Sequence, residues 1–372
     1  MGQYFSTGTR ASGTFTKSLS DDLTAKYVEY VNAIKLKDPD GNELTLTDTN
    51  AGTYYDYLKS VIEESLNNFI SDTTFPYTPS SSSSGGGPPS MTRKLDTTYE
   101  TADDYISSLN SDETWISKNS STGYYTITSV EAFVTQCKSA SKDVGAFDDL
   151  SKSQAENKLF GYSSTYYTKH FDKIMAGLLT DKSSTYSSLS NWNSSYPTDY
   201  TNYLSLNDTI GHTIEYRVNM YNPMYYLLSY YDGYKTSDVA DYFRINTGIT
   251  QGDTSSVVEI NLYLALLNYG KNAEFTTVWN QGHTEAERSG DAEDNFISWI
   301  AKIEGVDDSS DTTSSTTSST TSSTTSSSTT SSTTTTNDDD DEDDDEDIEK
   351  VDTNSNLVKL NRLLIYLLLF LL

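Results

Sequence analysis

Two polar segments, each placed directly after a predicted β-strand, carry the residues best suited to chemistry. They read Gly248-Ile-Thr-Gln-Gly-Asp253 and Trp279-Asn-Gln-Gly-His283. The carboxyl ends of adjacent parallel strands meet at one edge of a sheet, so an acid and a histidine that follow them can come together. A carboxylate orients an imidazole and stabilises its protonated form, which suits the imidazole to general-base catalysis. The pattern therefore predicts that Asp253 and His283 act as a pair.

The elements that must position this pair are two strands and two helices. Tyr242-Phe-Arg-Ile245 is typical of a short strand ending at Gly248, and Phe275 to Trp279 is typical of a second. Val257 to Leu267 between them has the period of an amphipathic helix. A last helix is marked by its apolar positions, Phe296, Trp299, Ile300 and Ile303. Strand, helix, strand and helix in this order predict an α/β fold with a parallel sheet in residues 220–306.

Residues 1–219 are predicted to form a large, mainly α-helical insertion or lid. Ser20 can cap one amphipathic helix, and the apolar positions from Tyr54 to Phe69 indicate a second. Residues 78–90 follow these first helices and contain no apolar residue, which predicts a flexible Ser/Gly/Pro linker.

The rest of that region alternates between short predicted elements. Residues 124–130 are typical of a strand, and 129–138 of a short helix. Further helices are predicted over 171–179 and 199–206, and a buried helix over 223–231.

Four segments of the chain together resemble the bacterial tannase-like and feruloyl-esterase-like branch of the α/β-hydrolases. They are AFDDLSKSQAENKLFG (146–161), RVNMYNPMYYL (217–227), YFRINTGITQGDTS (242–255) and WNQGHTEAERSGDAEDNFISWI (279–300). In α/β-hydrolases an acid follows the penultimate strand and a histidine the last. The resemblance covers about residues 1–303. It implies a secreted or lipid-anchored hydrolase that cleaves small-molecule or plant cell-wall esters of phenolic acids through a Ser-His-Asp triad.

The resemblance also assigns roles to single positions. His283 matches the triad histidine, and Gln251 matches the position of the triad aspartate. Since a glutamine cannot stabilise an imidazolium as a carboxylate does, either Asp253 substitutes or the triad is defective. Lys142, Glu156 and Asp253 match positions that bind the phenolic hydroxyls of the substrate. An ion-pair cluster that fixes the lid is the alternative interpretation of Lys142 and Glu156.

The nucleophile motif of this family is absent from the sequence. No G-x-S-x-G occurs among the 372 residues, and the early strands of the sheet are missing. The chain therefore looks like the C-terminal portion of such a hydrolase, inactive as given. A non-catalytic, acidic, surface-anchored glycoprotein that uses a degenerate hydrolase fold for binding is the alternative.

Composition excludes several other classes of function. The chain has 54 acidic and 25 basic residues, so nucleic acid is an improbable partner. Cys137 is the only cysteine, which excludes an intrachain disulfide and a cysteine-rich zinc site. Three scattered histidines give no support to a catalytic metal, and His170 and His212 are interpreted as structural. No cofactor is predicted.

The C-terminal segment is predicted to be a stalk and an anchor. Residues 307–356 are Ser/Thr-rich and then acidic, which favours disorder, with calcium binding by the acidic run as an alternative. Residues 357–372 end in ten apolar residues, too few to cross a bilayer as a helix. They fit a glycosylphosphatidylinositol signal attached at Asn354 or Asn356. A tail anchor or a wrong reading frame remains an alternative.

Localisation at the cell surface follows from this anchor. The segment MGQYFS also matches the myristoylation pattern at Gly2, which is cytoplasmic, and no secretion signal precedes the folded region. The contradiction indicates that the chain begins at an internal methionine. Sequons at Asn119, Asn193 and Asn207 are expected to be glycosylated if the protein enters a eukaryotic secretory pathway.

Overall fold

The computed structural model describes residues 12–79, 97–137, 172–250, 255–282 and 286–305. The chain divides into two compact units, Met1–Ile297 and Ser298–Leu372, and the second is described only as far as residue 305. Within these ranges no helix is both long enough and apolar enough to span a membrane. Several predicted features lie outside the described residues: most of the 78–90 linker, the stalk and the anchor.

The first helix, α1 (Phe15–Ile34), begins five residues earlier than Ser20. Thr14 is its N-cap, and the Thr14 hydroxyl accepts a hydrogen bond from the backbone N of Lys17 at 3.3 Å. The prediction that Ser20 caps the helix is therefore wrong. Ser20 is fully buried inside the helix, one position after the buried Leu19, because the apolar face extends back to Phe15.

The second helix, α2 (Thr53–Asp72), confirms the predicted amphipathic segment, and its buried face packs into the main core. A buried hydrogen bond joins it to the helix between the two parallel strands, where the Tyr54 hydroxyl donates to Asn261 Oδ1 at 2.7 Å. Since buried polar groups need partners, this bond fixes how the two helices face each other.

A small layer follows α2 in the chain. Helix α3 (Ala102–Leu109) starts with a capping box formed by Thr101 and Asp104. Strands β1 (Ile116–Lys118) and β2 (Tyr125–Ile127) form an antiparallel pair, and α4 (Val130–Cys137) ends the layer. The strand predicted over 124–130 is thus shorter, and the predicted short helix is confirmed.

Five short helices make up the next described stretch. They are α5 (Asp172–Asp181), α6 (Ser183–Tyr186), α7 (Tyr196–Leu204), α8 (Ile214–Tyr221) and α9 (Pro223–Leu227). Phe15, Leu19 and Leu23 of α1 pack against the first three of these helices in a second, smaller core. The buried helix predicted over 223–231 ends at Leu227, because Leu228 adopts an extended backbone conformation.

The last described elements form an α/β region, as their order in the sequence predicts. Strand β3 (Tyr242–Gly248), helix α10 (Ser256–Tyr269), strand β4 (Asn272–Val278) and helix α11 (Ala292–Glu304) follow one another. The strands pair in parallel, from Tyr242 opposite Asn272 to Gly248 opposite Val278. Within the described residues this sheet has only these two strands. The fold is therefore mixed, with an α/β unit at its C-terminal side.

Candidate active site

The two polar segments start from the same edge of the parallel sheet. Gly248 ends β3 and Val278 ends β4, and these two residues are register partners. Beyond the strands the pairing continues, since the backbone N of Ile249 donates to the carbonyl of Val278 at 2.9 Å. The segment that leads to Asp253 and the segment that leads to His283 are therefore neighbours where they leave the sheet.

Thr250 joins the two segments a second time. Its backbone N donates to the carbonyl oxygen of Gln281 at 3.2 Å, and its hydroxyl donates to the same oxygen. Thr250 is almost fully buried. The carbonyl of Gln281 thus accepts two hydrogen bonds from one residue of the other segment. These bonds fix the separation of the two segments, one residue before Gln251 in the first and two residues before His283 in the second.

Gly248 is required at this edge for steric reasons. A Cβ atom placed on Gly248 would overlap the carbonyl oxygens of both Gln281 and Gly282. Its backbone φ is not in the left-handed region, so close backbone approach rather than conformation excludes a side chain. The absence of a side chain lets the histidine-bearing segment pass directly over the end of β3.

Two hydrogen bonds attach the histidine-bearing segment to the core. Trp279 is buried, and its indole Nε1 donates to the hydroxyl of Tyr105 at 2.8 Å. Asn280 has a left-handed backbone with φ of 60°, which asparagine tolerates, and its Nδ2 donates to the hydroxyl of Tyr77 at 2.8 Å. Burial raises the pKa of both Tyr105 and Tyr77, so both phenols stay protonated and neutral.

Sequence patterns did not identify three of these positioning residues, which are Thr250, Tyr77 and Tyr105. Thr250 belongs to the segment that was singled out, but its type alone does not indicate a bridge. Tyr77 lies 203 residues from Asn280, and Tyr105 lies 174 residues from Trp279. No local periodicity reports contacts across such separations. The Trp-Asn pair after the strand was the one available signal, because a large aromatic residue there implies a buried partner.

The predicted chemical groups themselves fall outside the described residues. This holds for His283, for Asp253 and Gln251, and for the proposed ring-binding residues Lys142 and Glu156. The structure describes the residues directly before the first three of these groups. Thr250 precedes the segment with Gln251 and Asp253, and Gly282 precedes His283. Their catalytic and binding roles therefore stay predictions.

His212 lies within the described residues, and its side chain lies close to two residues near it in sequence, Tyr216 and Asp208. Its ring stacks on Tyr216 with 4.0 Å between centroids, and its Nδ1 lies 3.8 Å from Asp208. Asp208 also accepts a hydrogen bond from Arg217 at 3.1 Å. Backbone hydrogen bonds from His212 and Ile210, together with Arg217, outweigh burial and lower the pKa of Asp208. In the described ranges no three metal-ligating side chains converge.

Comparison with solved structures identifies the fold. The structure is similar to that of Fusobacterium nucleatum tannase, with a TM-score of 0.50 and 23% identity, over 77% of this chain and 46% of that chain. Lactobacillus plantarum tannase aligns over the same shares with a TM-score of 0.41 and 20% identity. A tannin acyl hydrolase in complex with ethyl gallate aligns with a TM-score of 0.42 and 20% identity, over 81% of this chain and 52% of that one.

Comparison of the sequence with family models and with curated proteins gives no match. The chain spans about half the length of the solved tannases. Over the aligned part it has a tannase-like fold, which confirms at the level of fold the resemblance that the four sequence segments indicated.

Proposed function

We propose that this chain is part of a serine carboxylic-ester hydrolase that acts on esters of phenolic acids. The observation that carries the proposal is the double bridge from Thr250 to the carbonyl of Gln281. It holds together the segments in which an acid and a histidine follow successive parallel strands. The tannase-like fold supports the same reaction class by analogy.

In the proposed mechanism His283 is the general base and acid. Its imidazole takes the proton of a serine hydroxyl as the serine oxygen attacks the ester carbonyl, and returns the proton to the departing alcohol. Water then cleaves the acyl-enzyme with the same imidazole as base. The serine is expected on a G-x-S-x-G elbow, a motif that these 372 residues do not contain.

Asp253 is the proposed partner of the imidazole. Only a carboxylate balances the positive charge that the imidazole acquires, and Gln251 cannot supply one. Lys142 and Glu156 are the proposed ligands of the phenolic hydroxyls of the acyl group. A cation and a carboxylate suit hydroxyl groups that both donate and accept hydrogen bonds.

A matched pair of esters tests the function. The natural full-length protein is expected to hydrolyse methyl 3,4,5-trihydroxybenzoate at least about tenfold faster than methyl benzoate, measured as kcat/KM. A site built to bind hydroxyl groups leaves polar groups unpaired with the unhydroxylated ester. Equal kcat/KM values on both esters would contradict the proposed specificity for phenolic acids. No turnover of either ester would leave the non-catalytic binding protein as the interpretation.

Surface localisation is a second part of the proposal. Asn119, Asn193 and Asn207 are all exposed to solvent, as glycan attachment requires. We expect treatment of the natural protein from a eukaryotic host with an N-glycosidase to increase its electrophoretic mobility by up to three steps.

Phosphatidylinositol-specific phospholipase is expected to release the natural protein from membranes, if Asn354 or Asn356 carries the lipid. Unchanged mobility and retention in the membrane would contradict both expectations.

A further inference from the structure

Three polar side chains surround the carboxylate of Glu287, four residues after His283. Arg244 binds it through two parallel hydrogen bonds, from Nη1 to Oε1 at 2.8 Å and from Nη2 to Oε2 at 2.6 Å. Asn246 Nδ2 donates to Oε1 at 2.9 Å, and Asn295 Nδ2 donates to Oε2 at 3.1 Å. Four hydrogen bonds thus fix one carboxylate.

The cluster is mostly withdrawn from solvent. The side chain of Glu287 is 12% exposed and that of Arg244 is 22% exposed. An exposed ion pair contributes little because water screens it, but a bidentate pair in partly buried surroundings sets a definite geometry. Ala286, the residue before Glu287, is also buried. The chain is therefore held in a fixed position at Ala286 and Glu287.

Strand β3 holds both ends of the short segment that contains His283. Before the histidine, Gly248 at the end of β3 lies against Gln281 and Gly282, and Thr250, two residues beyond the strand, donates to Gln281. After it, Arg244 and Asn246 of the same strand hold Glu287. Arg244, Asn246 and Gly248 share one face of the strand, because side chains alternate. The five residue steps from Gly282 to Glu287 can span at most about 18 Å, so these two held ends limit where His283 can lie.

We propose that Glu287 and Arg244 form a clamp that positions His283 towards the acid-bearing segment after β3. The inference rests on the proposed function, since it assigns these residues to the orientation of that histidine. Glu287 and Arg244 are positioning residues and contact no reacting atom. A neighbouring pair, Arg288 with Asp72 at 2.8 Å, is more exposed and attaches the same loop to the end of α2.

The imidazole of His283 reports on the clamp directly. The chain has three histidines, so the ring signals of His283 can be assigned by replacing His170 and His212 in turn. Beside a carboxylate its pKa is expected to lie above the ordinary value of about 6.5. Nuclear magnetic resonance titration of the full chain then compares the wild type with Glu287→Gln and with Arg244→Gln.

The two variants separate positioning from a direct charge effect. By charge alone, loss of the negative Glu287 lowers the pKa of His283 and loss of the positive Arg244 raises it. If the clamp positions the histidine, both variants release it from its acid partner, and both lower the pKa by about half a unit or more. Glu293→Gln, the same substitution at an exposed position of α11, is the matched control and is expected to leave the pKa unchanged.

Shifts of opposite sign, or no shift in either variant, overturn the clamp. Because the signal comes from the imidazole and needs no turnover, it is independent of the ester assay. An active phenolic esterase with opposite shifts keeps the proposed function and refutes the clamp. An inactive protein in which both variants lower the pKa keeps the clamp and refutes the function.

Discussion

The His283→Ala variant of the natural full-length protein is expected to lose at least about 1,000-fold in kcat on a phenolic ester, with a smaller change in KM. Removal of a triad histidine leaves the serine without a base and the alcohol without an acid, and such losses are of that order or larger. Steady-state kinetics with methyl 3,4,5-trihydroxybenzoate measures the effect. The thermal unfolding midpoint of the variant is expected to stay near that of the wild type.

His212→Ala is the matched histidine control for this experiment. His212 stacks on Tyr216 in a helical part of the fold and has no place in the proposed chemistry. Its replacement is expected to leave kcat within about twofold. If His283→Ala also retained most of the activity, a group other than this histidine would have to activate the nucleophile, and the assignment of the base would be wrong.

Gly248→Ala is expected to destabilise the fold more than other single changes at the edge of the sheet. The added methyl group would overlap two backbone carbonyls, which cannot move aside as the end of a flexible side chain can. Overpacking of this kind costs about 1–3 kcal/mol in the free energy of unfolding, or more where backbone must shift. In a folded region of about 150–250 residues each kcal/mol lowers the melting temperature by about 2–4 °C, which calorimetry resolves.

Gly282→Ala provides the matched control, because no atom of the described residues lies within 4 Å of a Cβ atom placed on Gly282. Both substitutions add one methyl group to the same pair of segments, but only the change at Gly248 forces them apart. The Gly282 variant is expected to unfold within about 0.5 kcal/mol of the wild type. Equal destabilisation by the two changes would contradict the close approach of the segments over the end of β3.

Local sequence patterns were sufficient for the elements that position the site. Strand β3, helix α10 and strand β4 have the alternation and period that predict them. The boundary errors also have local causes. Ser20 is a good N-cap residue by type, but Thr14 lies at the true start of the apolar face, where the backbone is extended.

The contacts that fix the candidate site could not be predicted in the same way. Arg244 and Glu287 are 43 residues apart, and Asn280 and Tyr77 are 203 residues apart. Hydrogen bonds between such positions depend on how whole elements pack, which no single segment encodes. The position of His283 after a predicted strand singled out this histidine, and the tannase-like resemblance of the four segments assigned its role in a triad.

We predict that the acid after β3 and the histidine after β4 meet at one edge of the sheet. The pKa of the His283 imidazole, measured by nuclear magnetic resonance in the wild type, Asp253→Asn and Gln251→Ala, tests it most directly. We predict a pKa above about 6.5 that falls by about one unit in Asp253→Asn and stays unchanged in Gln251→Ala, because a nearby carboxylate stabilises the imidazolium. The same pKa in all three proteins would contradict the claim.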